Sequence, residues 1–327
     1  MVIGLLLLTG TASMFLSNKR IYKEMNEMGR LQENARFAVQ LLIEDIRMAG
    51  YAGCADDISE IQNHVNGMTD DDQLMSFNNA VEGINEADPT TPANTPWKPS
   101  DSQDQVANMV AGTDAISIRY MAPAGISISS PMPNVSAELK VTTVGDLQIG
   151  DIIALSDCES ADIMQLTNVQ DASSHLQHNA GGALTPGNST QSLQKKYGAE
   201  AQVMRFVARR YFIGTGAAGG PSLFRVENLG APLELIEGVE NMEILYGEDT
   251  VGNDTIAETY VNAGAVSNWD NVVSVRLSLL FQTVDENFSN AVNEQTYAMA
   301  EGTYDPVDDR RRRRVVTNTI QIRNRSN

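Results

Sequence analysis

The sequence predicts an α+β fold: one long N-terminal α-helix whose distal half packs on antiparallel β-sheet. Three observations predict it. An uncharged stretch, residues 2–16, runs without a break into a charged amphipathic stretch that ends at Gly50-Tyr51-Ala52-Gly53-Cys54. From residue 116 onward, apolar side chains recur at every second position in several short runs. The order is one helix and then strands, which suits a sheet packed on that helix rather than alternating βα units.

The helix has two parts. Residues 2–16 are dominated by Leu, Ile, Val, Met and Phe, with small residues at Gly4, Thr9, Gly10, Thr11, Ala12 and Ser13. A membrane-spanning helix needs about twenty apolar residues, so this run is a little short. A secretory signal would carry a basic region ahead of the apolar run and would not continue into an amphipathic helix. Beyond it, Ile21, Met25, Met28, Leu31, Ala35, Ala38, Leu42, Ile46 and Ala49 step by three or four, an apolar helical stripe. Phe37, Leu41 and Met48 widen it, while charged residues including Glu27, Glu44, Asp45 and Arg47 are assigned to the other faces. Gly50 and Gly53 supply the stop. Three regions follow: 1–18 as the membrane or filament-core part, 19–53 as amphipathic helix on the head, and 54–327 as a β-rich head.

Within the head, residues 56–112 are acidic and rich in Asn, Asp and Pro, the composition of surface loop. Strands are expected at 116–120, 151–156, 163–169, 203–213, 224–226, 235–246, 272–281 and 315–322. The pair 203–213 and 224–226 reads as a hairpin across a glycine-rich turn. Residues 175–194 and 284–309 read as loops.

The chain has 327 residues and a net charge of −19, from 23 basic and 42 acidic side chains. That balance excludes nucleic acid and anionic lipid as partners of the head, because both need a positive field. The two cysteines, Cys54 and Cys158, are either free core thiols or, in an oxidising compartment, a bridge. A bridge would close a loop of about a hundred residues, worth roughly 4–5 kcal/mol on chain entropy.

No catalytic constellation emerges. Gly214-Thr215-Gly216-Ala217-Ala218-Gly219 has the G-x-G-x-x-G spacing, but a dinucleotide site needs a helix to open there, and Pro221 and another strand follow. His175 and His178 read as solvated loop histidines, and His64 stands alone. Glu248, Asp249, Asn253, Asp254 and Glu258 are clustered oxygen donors. Their spacing does not fit an EF-hand, so a solvated acidic turn is expected, with calcium as the alternative. The run 310–314 of five arginines is expected to pair with the preceding Asp305, Asp308 and Asp309 or to form a basic partner-facing edge.

Several segments resemble the PilW family of minor type IV pilins. They are Leu31-Gln32-Glu33-Asn34-Ala35-Arg36-Phe37-Ala38, then Asp45-Ile46-Arg47-Met48-Ala49-Gly50-Tyr51-Ala52-Gly53-Cys54. Leu155-Ser156-Asp157-Cys158-Glu159-Ser160-Ala161-Asp162-Ile163 and Gly238-Val239-Glu240-Asn241-Met242-Glu243-Ile244-Leu245-Tyr246-Gly247 follow, with Val272-Val273-Ser274-Val275-Arg276-Leu277 and Ile322-Arg323-Asn324-Arg325 near the end.

The resemblance implies a pilin-like fold and a Cys54–Cys158 bridge. It implies a non-enzymatic prepilin, processed at the inner membrane with its head in the periplasm, then built into the extracellular pilus at or near the tip. There it helps to prime assembly, in systems that serve cell adhesion and twitching motility. Implied partners are other minor pilins, the major pilin, the inner membrane before assembly and sometimes a large tip adhesin, with no cofactor. Gly4, Leu5, Leu6, Leu7, Leu8, Gly10, Ala12, Phe15 and Leu16 would form the surface that exchanges lipid for neighbouring helices. Such proteins carry a short leader and a glutamate soon after its cleavage point. Neither is present around Met1, which is therefore expected to fall a few residues inside the mature helix. The minor J-type pseudopilin of type II secretion and a stand-alone membrane-anchored binding domain are the alternatives.

Overall fold

The computed structural model describes residues 2–53, 61–66, 79–87, 109–228, 230–252, 254–286 and 292–324, with the backbone alone for residues 2, 5–9 and 87. Helix α1, Val2–Met48, is unbroken over 47 residues. It contains no proline and ends where Gly50 turns the chain at φ +74°. Among the described residues, no helix is long and apolar enough to cross a membrane.

The expected α+β class is corrected. Strands hold 42% of the residues and helix 19%, so the protein is mostly β with a single α-helix. The surplus comes from segments read as loop. β1 (Ile61–Asn63) and β2 (Val81–Ala87) lie inside the acidic 56–112 stretch. There the strand signal is short, and pairing with distant strands overrides local composition. Further along, Val81 pairs with Ile118 and Ile61 with Ala161, contacts that no local window reveals.

The larger sheet has eight strands. With β1 and β2 it contains β3 (Thr113–Ser127), β5 (Ile152–Ser156), β6 (Ala161–Gln165), β9 (Gln202–Thr215), β10 (Pro221–Glu227) and β11 (Leu233–Glu237). The spatial path is β1-β6-β5-β9-β10-β11, with β3 and then β2 joined through β9. Pairing is antiparallel except for the parallel β1–β6 edge. Register shifts at Pro123/Ile126 and Ile84/Ala87 increase local twist, and the sheet curls into a half-barrel. Its inner face holds a cluster supplied almost wholly by its own strands, including Ala154, Ile163, Met204, Phe206 and Phe212.

A four-stranded antiparallel sheet runs in the order β13-β12-β14-β17. Its strands are β12 (Val239–Glu248), β13 (Thr259–Val261), β14 (Val272–Gln282) and β17 (Arg313–Gln321). Two small sheets complete the head: β4 (Leu139–Lys140), β7 (Asn168–Gln170) and β8 (His175–Gln177), and the hairpin β15 (Tyr297–Ala298) with β16 (Thr303–Tyr304).

The expected single strand at 235–246 is two strands broken at Gly238, whose φ is +79°. A Cβ there would lie 2.6 Å from the Gln282 carbonyl.

The C-terminal half of α1 closes the core between the two sheets. Leu31, Ala35, Ala38, Leu42, Ile46 and Ala49 are buried with Ile118, Tyr120 and Val207 of the larger sheet and Ile244, Leu277 and Ile320 of the smaller. Each fully buried Leu or Ile contributes about 1.5–3 kcal/mol. The expected stripe stops short at its N-terminal end, however. Ile21 and Met25 are exposed, so burial begins near Glu27, and Phe37, expected to widen the stripe, is exposed as well.

The end of the helix is fastened by the far end of the chain. The Asn324 amide donates toward the carbonyls of Arg47, Met48 and Ala49 at 3.3, 3.3 and 3.4 Å, groups that a helix terminus leaves unpaired. A Cβ on Gly50 would sit 3.1 Å from the Ala80 methyl and 3.2 Å from the Asn324 carbonyl. Gly50→Ala therefore meets both a left-handed backbone and two close neighbours. It is expected to lower stability by about 1–3 kcal/mol, read as the urea midpoint at an unchanged slope.

Candidate functional site

Helix α1 carries two different surfaces, and the change between them is the most distinctive feature of the molecule. In its first half, Ile3, Met14, Phe15 and Leu16 are 64–75% exposed, and Ala12 is exposed. A Cβ added at Gly4 or Gly10 would meet nothing within 4 Å. The side chains of Leu5, Leu6, Leu7 and Leu8 lie outside the described residues. Large apolar side chains left exposed in this way mark a place where something else docks.

The second half is fixed by polar locks that the sequence reading missed. Asp45, expected on an outer face, is buried. It lies three residues after Leu42 and so falls on the buried stripe. Its carboxylate accepts from Arg209 Nη1 at 2.7 Å, from the Tyr211 hydroxyl, and from the Tyr120 hydroxyl at 3.4 Å. Arg209 also donates Nε to Glu227 at 2.7 Å. Burial works against the Arg209 charge, but Asp45 and Glu227 outweigh it and raise its pKa. Burial and the Asp45 charge push the Tyr120 hydroxyl up to about 12 and Tyr211 higher still. The tyrosines therefore stay neutral donors, and Asp45 is held as their acceptor.

A second lock lies about three to five turns of helix earlier. Glu27 is buried and accepts from Arg30 Nη1 at 3.2 Å. Arg30 also pairs with Glu237, and the Asn34 amide donates to the Glu237 carbonyl at 3.1 Å. Exposed pairs flank this one: Lys23 with Asp285 at 2.9 Å and Arg312 with Glu24 at 3.3 Å. The signal available in the sequence was position alone, since Glu27 precedes Leu31 by one turn.

The other residues singled out in the sequence fall as follows. Cys158 is disulfide-bonded, and Cys54 lies outside the described residues. The 214–219 glycine segment closes the β9–β10 hairpin, with Thr215 paired to Pro221 and no helix following.

The reading of His178 as a solvated loop histidine is corrected, while His175 is half-buried with its Nδ1 3.0 Å from Glu138 Oε1. His178 is buried and donates its Nε2–H to the Ala137 carbonyl at 3.1 Å, with its pKa lowered by burial. His64 is buried against Asp162, which also accepts from the Tyr197 hydroxyl at 2.6 Å and the Gln194 amide at 3.2 Å. Both rings are enclosed because long-range strand pairing folds the 175–197 segment over β6.

Within the arginine run, Arg313 is buried between Asp309, at 2.7 Å, and Glu240, and Arg311 reaches Asp309 at 3.5 Å. Asp309 is the aspartate of the expected three that pairs with the run. Glu240, on β12 of the same four-stranded sheet, was not anticipated.

Of the five oxygen donors, Glu248 is occupied by Ser267 and Asn268, whose groups donate to its Oε1 at 2.6–3.3 Å. Asn253 lies outside the described residues. Asp249, Asp254 and Glu258 converge, with one oxygen of each within 4.8 Å of the others.

In comparisons with known proteins, residues 210–324 match the family described as PilW, type IV pilus-assembly protein W. The resemblance read from the sequence is borne out over that span, which contains β10 to β17 and the end of β9. No curated protein and no solved structure matches the chain.

Proposed function

Because residues 210–324 belong to the type IV pilus-assembly protein W family, we propose that this chain is a minor, non-enzymatic subunit of the pilus. In this reading it helps to initiate assembly and sits at or near the tip, beside other minor pilins and the major pilin. Its head would stand in the periplasm while the apolar start of α1 lies in the inner membrane. On assembly, that same surface would leave lipid for sibling helices.

One observation carries the reading: among the described residues, the large apolar side chains near the start of α1 are exposed, while its second half is locked to the head. A helix that served only to complete the core would gain nothing from the exposed half. Exchange of lipid for protein is nearly neutral in hydrophobic terms, so close packing at small residues would set specificity. Arg209 and Arg313 serve the head's internal locks, consistent with a structural rather than chemical role for these charges.

The test uses positions that touch nothing within the chain. Gly10→Leu combined with Ala12→Leu should leave the head folded. Removal of a helical glycine should even favour α1 by up to about 1 kcal/mol. Surface pili should nevertheless fall by roughly ten-fold or more, since about 1.4 kcal/mol of lost packing per interface already gives that factor. Pili at wild-type density, with normal amounts of the variant in the cell, would overturn the assignment of this surface to helix packing.

A further inference from the structure

The β12–β13 loop holds an arrangement that neither the fold nor pilus assembly uses. β12 ends at Glu248 and β13 begins at Thr259. Between or beside them, Asp249, Asp254 and Glu258 bring three carboxylate oxygens within 4.8 Å of one another. Exposed acidic clusters are common on a chain of this charge, and proximity alone would mean little.

Asp249 is different. It is 8% exposed, and its Oδ1 is buried with no hydrogen-bond partner. A buried carboxylate oxygen left without a donor costs several kcal/mol unless a cation or water meets it. Among the described residues, no basic side chain pairs with any of the three carboxylates. We propose that Asp249, Asp254 and Glu258 form a calcium-binding site that fastens the loop joining β12 to β13.

Size favours calcium. Three points mutually within 4.8 Å can be reached from a centre no more than about 2.8 Å away. A contraction of a few tenths of an ångström gives the 2.3–2.6 Å of calcium–oxygen bonds, whereas the roughly 2.1 Å of magnesium demands a larger collapse.

The carboxylates are also held in place. Thr255 N donates to Asp249 Oδ2 at 2.7 Å, Thr250 N to Glu258 Oε2 at 2.8 Å, and Ile256 N to Asp254 Oδ1 at 3.0 Å. Each carboxylate therefore keeps an oxygen for the ion. Water and backbone carbonyls would supply the rest of the six to eight ligands that calcium takes. The ion would neutralise mutual repulsion and satisfy Asp249 Oδ1 together.

The test is titration of calcium chloride into the full chain after dialysis against chelator, followed by calorimetry. A single site is expected, with a dissociation constant between about 10⁻⁵ and 10⁻³ M, and magnesium at least ten-fold weaker. Asp254→Asn with Glu258→Gln, both at exposed positions, should weaken calcium at least ten-fold while near-ultraviolet dichroism is unchanged. Calcium should also slow amide hydrogen exchange across residues 249–258 of the unmutated chain, a readout that needs no variant. No saturable heat below about 10 mM, equal affinity in the variant, or exchange indifferent to calcium would each overturn the site.

Discussion

Asp45→Ala is expected to destabilise the protein by about 3–5 kcal/mol, because it breaks a buried charge pair and strands two buried hydroxyls. Arg209 keeps Glu227 at 2.7 Å, which holds the cost within that range rather than beyond it. Tyr211 has no exposed surface, so its hydroxyl cannot turn to water for a substitute acceptor. The measurement is the urea midpoint, with amide exchange resolving where the loss falls. Protection should drop first across residues 38–49, the turns that Asp45 anchors. Tyr211→Phe should cost less, about 1–2 kcal/mol, and the double variant should fall short of the sum by about 1 kcal/mol or more. A loss under 1 kcal/mol for Asp45→Ala would mean that apolar packing alone holds the helix to the head.

Stability is also expected to fall as pH rises from about 5 to about 8. Asp114 is buried beside β12, and burial first, then the charges of Glu301 and Glu243, raise its pKa to about 8 against two backbone N–H donors. Burial and the neighbouring Glu243 and Glu86 raise Glu301 to about 7. Both folded values lie above those of the unfolded chain. Between them the native state holds protons that the unfolded state has released, so raising pH favours unfolding. The stabilising contribution is fully present below the unfolded pKa and is lost as pH approaches the folded one.

One such carboxyl gives a slope of about 1.4 kcal/mol per pH unit. Over two to three units Asp114 alone accounts for several kcal/mol, while the more exposed Glu301 adds a smaller share after screening.

In acid the sign reverses. Asp309 is lowered because its hydrogen bonds from Arg313 outweigh burial, and Asp146 and Asp285 are lowered by hydrogen bonds from Arg205 and Lys23. Their contributions vanish as pH drops through their folded values, which places the optimum near pH 5. Asp114→Asn mimics the protonated acid, and the variant should lose most of the slope between about pH 5 and pH 8. A wild-type urea midpoint that is flat or rising over that interval would refute the account.

Much of this architecture was legible in the residues, and the misses share a cause. Val273, Val275, Leu277 and Leu279 alternate with small or polar residues, and β14 forms where that pattern lies. The β9–β10 hairpin follows its glycine-rich turn. Around 116–120 the alternation of Ile116, Ile118 and Tyr120 with Ser117 and Arg119 suggested one wet face. Ser117 and Arg119 are fully buried, Arg119 bonding Glu82 at 3.0 Å and the Asn79 carbonyl at 2.9 Å.

Polar residues in the interior are chosen by partners far along the chain, and a single sequence does not display them. The same holds for Asp45, which looked like solvent-facing charge until Arg209, 164 residues away, came within reach, whereas Glu27 is met by Arg30 one turn along the same helix. The α+β expectation failed for a related reason. Two- and three-residue strands such as β1 and β4 exist only through their pairing and leave almost no local trace.

The fastening of α1 has a mechanical consequence. Attachments to the head run from Lys23 to Ala49, about 40 Å of helix at 1.5 Å per residue. A tensile load pulling on the exposed end would be shared along that whole length in shear, rather than peeling one bond after another. The head would then stay attached under forces that would strip a helix anchored at a single point.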